Sequence, residues 1–324
     1  MSLSMKWISI ALTTLISTAC LASPKENNSI YGCTVQTHKS LIYGTAPTST
    51  GEKDLYLDLY LPTGELKSCN GSHPTVLLIH GGGFTSGTRK QEEIVSIAHD
   101  YAATGFAVAA IDYRLLTQTS QPVIDNQGEI IATAFYQGAL DNDIDFNGGR
   151  FSSDPALALA ISGAAAAAAQ DAYQAVKWLV KQKKRYNLNT HKLAFAGGSA
   201  GAITALNLAY LLPDLHLYKK APKPKVVINL WGALTQISAV DKHKRSLFIV
   251  HGTKDKTVPF SASTLLVDRL QEKKKKNNLD FYPISGAKHS FKSIPIASIE
   301  VDGITLQERM IRFTAQEMSI KLGR

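Results

Sequence analysis

The chain has 324 residues, 44% of them hydrophobic and 19% charged. That balance excludes a disordered or fibrous chain and suffices for one large core or two small ones. A formal net charge of +9 raises nucleic acid or an anionic surface as a partner. The basic residues are scattered, however, and their one dense run, Lys273 to Lys276, closes a helix without interleaved aromatics, so no nucleic-acid partner is expected.

The chain opens with MSLSMKWISIALTTLISTACLAS, where Lys6 precedes an apolar run from Trp7 to about Leu15 and small residues lead to Ser23. This is the pattern of a secretory signal peptide over residues 1–22, and its apolar run is too short to cross a bilayer. The expected mature chain, 23–324, is exported to the periplasm or beyond and has no membrane span. Loss of Lys6 with the leader lowers its positive charge by one. Lipid attachment at Cys20 is disfavoured because Ser17 stands where such a site prefers leucine. Cys33 and Cys69 remain, and a pair in an exported chain points to a disulfide worth roughly 3–4 kcal/mol on loop entropy. No C-x-x-C spacing suggests a metal or redox role.

Strand and helix patterns alternate from about residue 54. Leu55 to Leu61 alternates and stops at Pro62, as a half-buried strand does, and Pro74 opens the continuous apolar run Thr75 to Ile79. His80-Gly81-Gly82-Gly83-Phe84 comes directly after it. A helix is predicted over Glu92–Ala103, a strand over Phe106–Ile111 and a helix over Ala164–Lys184, where Tyr173, Val176 and Val180 fall at helical spacing. Between them, Leu116 to Gly163 reads as a long lid or substrate-binding insertion. Asp141, Asp143, Asp145 and Asn147 alternate there like a calcium loop, but Phe146 replaces the glycine and Ser152 the glutamate, so no metal is expected.

Leu193 to Gly201, LAFAGGSAG, is a strand running through G-x-S-x-G into a helix over Ala202–Leu211. With glycine and serine each near 7% of an average chain, this pattern arises by chance in roughly one protein in ten of this size. Its weight comes from the nucleophile-elbow context and from an aspartate and a histidine placed after later strands. Short strands are predicted at Val226–Leu230, Leu247–Val250 and Phe281–Ile284, with helices at Ser261–Lys275 and Leu306–Ile320. One domain with a mostly parallel sheet covered on both faces is expected, an α/β fold without repeats or linkers.

A serine hydroxyl attacks a carbonyl only when a base takes its proton, an acid orients that base and donors meet the oxyanion. Asp255 lies just past one strand, in HGTKDKTVPF, and His289 past the next, in SGAKHSF. Both positions are at the carboxyl edge of the sheet, where open parallel sheets build their sites. His251 sits at the strand end itself, and His191, His216 and His243 lack suitable neighbours. The glycines after His80 free backbone N–H groups for a substrate oxygen, and the Ala200 N–H lies at the positive end of the serine helix. No phosphate- or dinucleotide-binding motif competes for the glycine run.

HGGGF, Asp112-Tyr113-Arg114-Leu115, Gln170-Asp171-Ala172, Lys177-Trp178-Leu179, GGSAG and HGTKDKTVPF together resemble the α/β-hydrolase carboxylesterases and lipases, in particular exported bacterial esterases related to the hormone-sensitive-lipase group. The resemblance runs from about residue 53 to the C-terminus. It implies the α/β-hydrolase fold, a catalytic triad of Ser199, Asp255 and His289, and an oxyanion hole from Gly82, Gly83 and Ala200. Asp112 to Arg114 and Asp171 would brace the loops beside the site. The chain departs from that group in its strand-like start and in its HGTKD acid loop, which is closer to dienelactone hydrolases and oligopeptidases.

The expected activity is hydrolysis of short-chain carboxylic esters through an acyl-enzyme, without a cofactor, on a small-molecule substrate. Phe135, Tyr136 and Leu140 are the candidate pocket wall. A serine peptidase of the oligopeptidase type and an inactive hydrolase-fold binding protein are the alternatives.

Overall fold

A computed structural model describes residues 30–117, 121–272 and 278–322. The expected leader with Cys20 and the lysine run 273–276 lie outside the described residues. Eight strands form one sheet: β1 (Thr34–Thr48), β2 (Gly51–Thr63), β3 (His73–Ile79), β4 (Ala107–Ile111), β5 (Leu188–Gly198), β6 (Val226–Leu230), β7 (Ser246–Gly252) and β8 (Leu279–Ile284). Their spatial order is β1-β2-β4-β3-β5-β6-β7-β8. β1 and β2 are antiparallel to their neighbours, and the six strands β3 to β8 run parallel. A separate hairpin pairs β9 (Glu300–Val301) with β10 (Ile304–Thr305).

The helices are α1 (Lys67–Asn70), α2 (Glu92–Ala103), α3 (Asn126–Asp141), α4 (Arg150–Ser153), α5 (Pro155–Gln182), α6 (Ala200–Leu206), α7 (Leu212–Asp214), α8 (Ser261–Glu272) and α9 (Leu306–Glu317). Period-two alternation divides β3 between two apolar layers. Leu77 and Ile79 belong to the layer that also holds α3, α5, α6 and α8, whereas Val76 and Leu78 belong to the layer with α2 and α9. All four are buried, and truncating one such leucine to alanine typically costs about 2–5 kcal/mol. The buried alanines 164–169 let α5 approach the sheet closely, because a methyl group is all that separates the backbones. Asp171, Arg114 and Asp58 are charged but buried, and each has an ionic partner.

One expected boundary needs correction. Helix α5 begins at Pro155, well before Ala164, because Asp154 caps it by accepting the Leu157 N–H at 3.1 Å and Pro155 has no N–H to lose. The segment from Leu116 to Gly163 is therefore mostly helical, holding α3, a 3₁₀ turn at Phe146–Gly148, α4 and the start of α5. Its calcium-like stretch is a tied turn, with Asp145 accepting the Ser152 N–H at 3.0 Å. Among the described residues no group of three or more His, Cys, Asp or Glu is arranged to hold a metal ion.

Cys33 and Cys69 are disulfide-bonded, with Cα atoms 5.5 Å apart. The bond fastens the start of β1 to α1, beside the antiparallel edge of the sheet. No described helix is long and apolar enough to cross a membrane.

Candidate active site

β5 ends at Gly198 and α6 begins at Ala200, so one residue makes the turn between them. Ser199 adopts φ 53° and ψ −122°, a left-handed conformation unusual for a residue with a side chain. The surroundings hold it there: its N–H donates to Leu230 O at 2.9 Å and its carbonyl accepts from Ile203 N at 2.9 Å. Glycine is required on either side. A Cβ on Gly201 would lie 2.1 Å from Ile79 O, and one on Gly197 would lie 2.4 Å from the Gly201 carbonyl carbon.

The loops after β7 and β8 reach the same rim. His289 Nε2 is 2.9 Å from Ser199 Oγ, and His289 Nδ1 is 2.7 Å from Asp255 Oδ2. A hydroxyl, an imidazole and a carboxylate are thus joined across residues 199, 289 and 255. Asp255 is buried at 5% exposure, and its other oxygen accepts N–H groups from Thr257 at 2.9 Å and Val258 at 3.1 Å. Burial alone would raise its pKa, but donors from His251 and His289 outweigh that and hold it at about 2. The two loops are also stitched together, with Lys254 N donating to Ala287 O at 2.9 Å.

The glycine run after β3 forms the facing wall. Gly82 has φ +117°, and a Cβ there would lie 2.1 Å from Ser86 O, so only glycine closes the turn in which its carbonyl accepts from Thr85 and Ser86. The run touches the elbow, since a Cβ on Gly81 would stand 3.4 Å from Ser199 Cβ. Gly82, Gly83, Ser199 and His289 line one hollow, and Gly83, Ser199 and Ala200 line a second. Behind the run, His80 is buried and stacked on Tyr113 at 4.3 Å, and burial lowers its pKa.

Ion pairs brace these loops. Arg114 grips Asp171 with Nη2 at 2.8 Å and Nε at 3.0 Å, both buried. Arg89 joins Asp58, at 2.9 Å, to Asp112 and donates to Ser40 Oγ at 2.9 Å. The braces fall where the family resemblance implied, but Arg89, their centre on the β4 side, carries no local sequence signal. Removing one partner of such a buried pair typically costs about 3–5 kcal/mol.

Comparison with known proteins bears on the fold. The family described as alpha/beta hydrolase fold matches residues 156–316, and the family described as BD-FAE matches residues 57–127. Among solved structures, the butyrate-bound esterase Est2 of Thermogutta terrifontis is similar with a TM-score of 0.55 and 17% identity, covering 90% of this chain and 94% of that one. The hydrolase MGS-M1, from a Medee basin deep-sea metagenome library, gives a TM-score of 0.52 and 17% identity over 82% and 93%. The chain has the α/β-hydrolase fold. A rice protein (Oryza sativa subsp. japonica) named Probable isoprenylcysteine alpha-carbonyl methylesterase ICMEL1 is 26% identical over 265 residues, 76% of this chain. The chain spans only 56% of that relative's length.

Two unequal spaces meet at Ser199 in this α/β-hydrolase fold. The smaller, about 40 Å³, is lined by Phe84, Phe135, Phe146, Ile161, Ile203 and Val258. The larger, about 460 Å³, has Gln91, Glu93, Ile94, Ile97 and Trp231 on its walls. Of the three residues expected to wall the pocket, Phe135 does so. Tyr136 packs on Phe151 at 5.9 Å, and Leu140 is exposed. Sequence reasoning missed Phe146 and Ile161, the first inside an apparent acidic loop and the second before the expected helix start. His251, unsuited by position to act as the base, is not near Ser199 in the hydrogen-bond chain but touches the carboxylate, its Nε2 3.3 Å from Asp255 Oδ2.

Proposed function

We propose that this protein is a serine carboxylesterase that cleaves short-chain esters through an acyl-enzyme. The observation that carries the reading is the continuous hydrogen-bond chain Ser199–His289–Asp255, opening beside an apolar space of about 40 Å³. His289 Nε2 takes the proton as Ser199 Oγ attacks the ester carbonyl, then delivers it to the departing alcohol. Asp255, which accepts from Nδ1, fixes the imidazole tautomer and stabilises the imidazolium. The N–H groups of Gly82, Gly83 and Ala200 meet the oxyanion, each worth about 3 kcal/mol in the transition state. Water repeats the cycle and releases the acid.

The acyl group occupies the small space and the alcohol the larger one. Phe84, Phe135, Phe146 and Ile161 around Ser199 leave room on that side for a short chain. That supports acetyl to butyryl groups, and it agrees with the propionate and butyrate bound by Est2. The Cys33–Cys69 bond supports export to an oxidising compartment, with the leader at 1–22 removed.

The test offers the purified protein p-nitrophenyl acetate, butyrate and octanoate beside a chromogenic peptide, with Ser199→Ala as control. The reading expects butyrate to exceed octanoate at least tenfold in kcat/KM and the peptide to stay intact. Turnover confined to the peptide would establish a peptidase instead, and a folded protein inert to all four would be a binding module.

A further inference from the structure

We propose that His251 is a positioning residue for Asp255, fixing which lone pair of the carboxylate faces His289. The inference rests on the triad reading and concerns a histidine to which that mechanism gives no role.

His251 is the last residue but one of β7 and is fully buried. Its Nε2 lies 3.0 Å from Val258 O and 3.3 Å from Asp255 Oδ2. A backbone carbonyl and an ionised carboxylate both only accept, so Nε2 must carry the hydrogen and share it between them. Its Nδ1 is 2.7 Å from Ser263 Oγ in α8. A hydroxyl can donate, so Ser263 completes the ring's bonding with Nδ1 as acceptor and the tautomer is set. The Phe260 ring stands edge-on at 5.7 Å, which leaves the imidazole little freedom to turn.

The consequence falls on Asp255. Its Oδ1 is occupied by the Thr257 and Val258 N–H groups, and its Oδ2 lies between two imidazoles, His289 at 2.7 Å and His251 at 3.3 Å. Four donors from three segments therefore surround one carboxylate. Without His251 the Oδ2 facing His289 loses one of its two donors, so the carboxylate is less firmly oriented and more of its charge falls on the His289 ring. Asp255 is the charged group in contact with both rings. Lys254, Lys256 and Lys288 line the solvent side of His289 with Thr257. Substitution at His251 leaves these lysines in place, so their field cancels between variant and wild type.

The test uses full-length protein and p-nitrophenyl butyrate. His251→Leu should lower kcat at least tenfold with KM within twofold, and should shift the acid limb of kcat/KM to higher pH by about half a unit or more. A purely structural histidine would lower the melting temperature without moving that limb. His251→Gln places an amide donor where Nε2 stood and should recover most of kcat and the wild-type limb. Ser263→Ala should produce a smaller loss in the same direction. A folded His251→Leu variant with an unmoved acid limb, or a Gln variant no better than Leu, would overturn the proposal. Should His251→Leu fail to fold, ¹⁵N NMR of histidine-labelled wild type decides instead: at pH 8 His251 must be protonated at Nε2, and an Nδ1 proton overturns it. Ser199→Ala separates the two failures. If it abolishes turnover while the His251 result is negative, the esterase reading stands and only this inference falls.

Discussion

The carboxyl rim of the sheet and the helical segment over residues 116–163 both shape the site, and they differ in how they do it. At the rim each functional side chain is placed by its own strand: Ser199 after β5, Asp255 after β7 and His289 after β8. In the helical segment Phe135, Phe146 and Ile161 come from three separate elements and meet only through packing. In the proposed reading the rim sets what chemistry is available, while the helical wall sets how large a group that chemistry receives. Each can be broken without the other.

The largest effect should come from the rim. Ser199→Ala removes the proposed nucleophile but leaves the fold, so kcat should fall by about 10⁴-fold or more. Active-site titration with an organophosphate must also fail in the variant. Residual turnover within tenfold of wild type would show that another group does the chemistry.

Stability at the far edge is the next effect. The Cys33–Cys69 bond closes a separation of 36 residues, and loop entropy assigns it about 4 kcal/mol. Replacing both cysteines with serine should lower the melting temperature by roughly 6 °C while leaving kcat within twofold. A large fall in kcat at equal folded fraction would connect the edge to the rim after all.

The rim and the wall are not equally readable in the sequence. A nucleophile on a one-residue turn needs flanking glycines, and a loop leaving a strand toward a shared edge needs its functional residue within a few positions, so the chemistry is written locally. Gly197 and Gly201 are examples, since either Cβ would collide with backbone. The strand order at the antiparallel edge and the Arg89 brace between β2 and β4 are not written so, because residues 58, 89 and 112 meet only after folding. The start of α5 is legible in Asp154-Pro155, but the run of alanines draws the expected boundary inward. His251 offers no such signal, because only the fold reveals that its ring turns toward Asp255.

Acid stability probes the rim with a smaller effect. Asp255 has a pKa of about 2 in the folded chain, below the ~3.9 of an unfolded aspartate. A depressed acid stabilises above its unfolded value, and that contribution is lost as pH falls through the folded one. Urea unfolding should therefore lose about 2 kcal/mol between pH 5 and pH 2 that Asp255→Asn does not lose. Parallel curves for the two proteins would mean that the carboxylate is not held as the geometry implies.

The smallest effect tests the wall. Phe146 is nearly buried, stacks on Phe135 at 5.8 Å and meets Phe151 edge-on at 5.3 Å. Phe146→Leu removes part of a ring from the boundary of the small space without adding a polar group, and most of the gap will persist because Phe135 and Phe151 are held by their own helices. Extra room beside Ser199 should help longer acyl chains in the transition state and do little for acetyl. One added methylene accommodated is worth about 1–3 kcal/mol, so the hexanoate-to-acetate ratio in kcat/KM should rise roughly tenfold. The acid limb of the pH profile should not move, since no rim residue is touched. A chain-length profile unchanged by this substitution, in a protein that still folds, would place the acyl group in the larger hollow beside Trp231 and reverse the assignment of the two spaces.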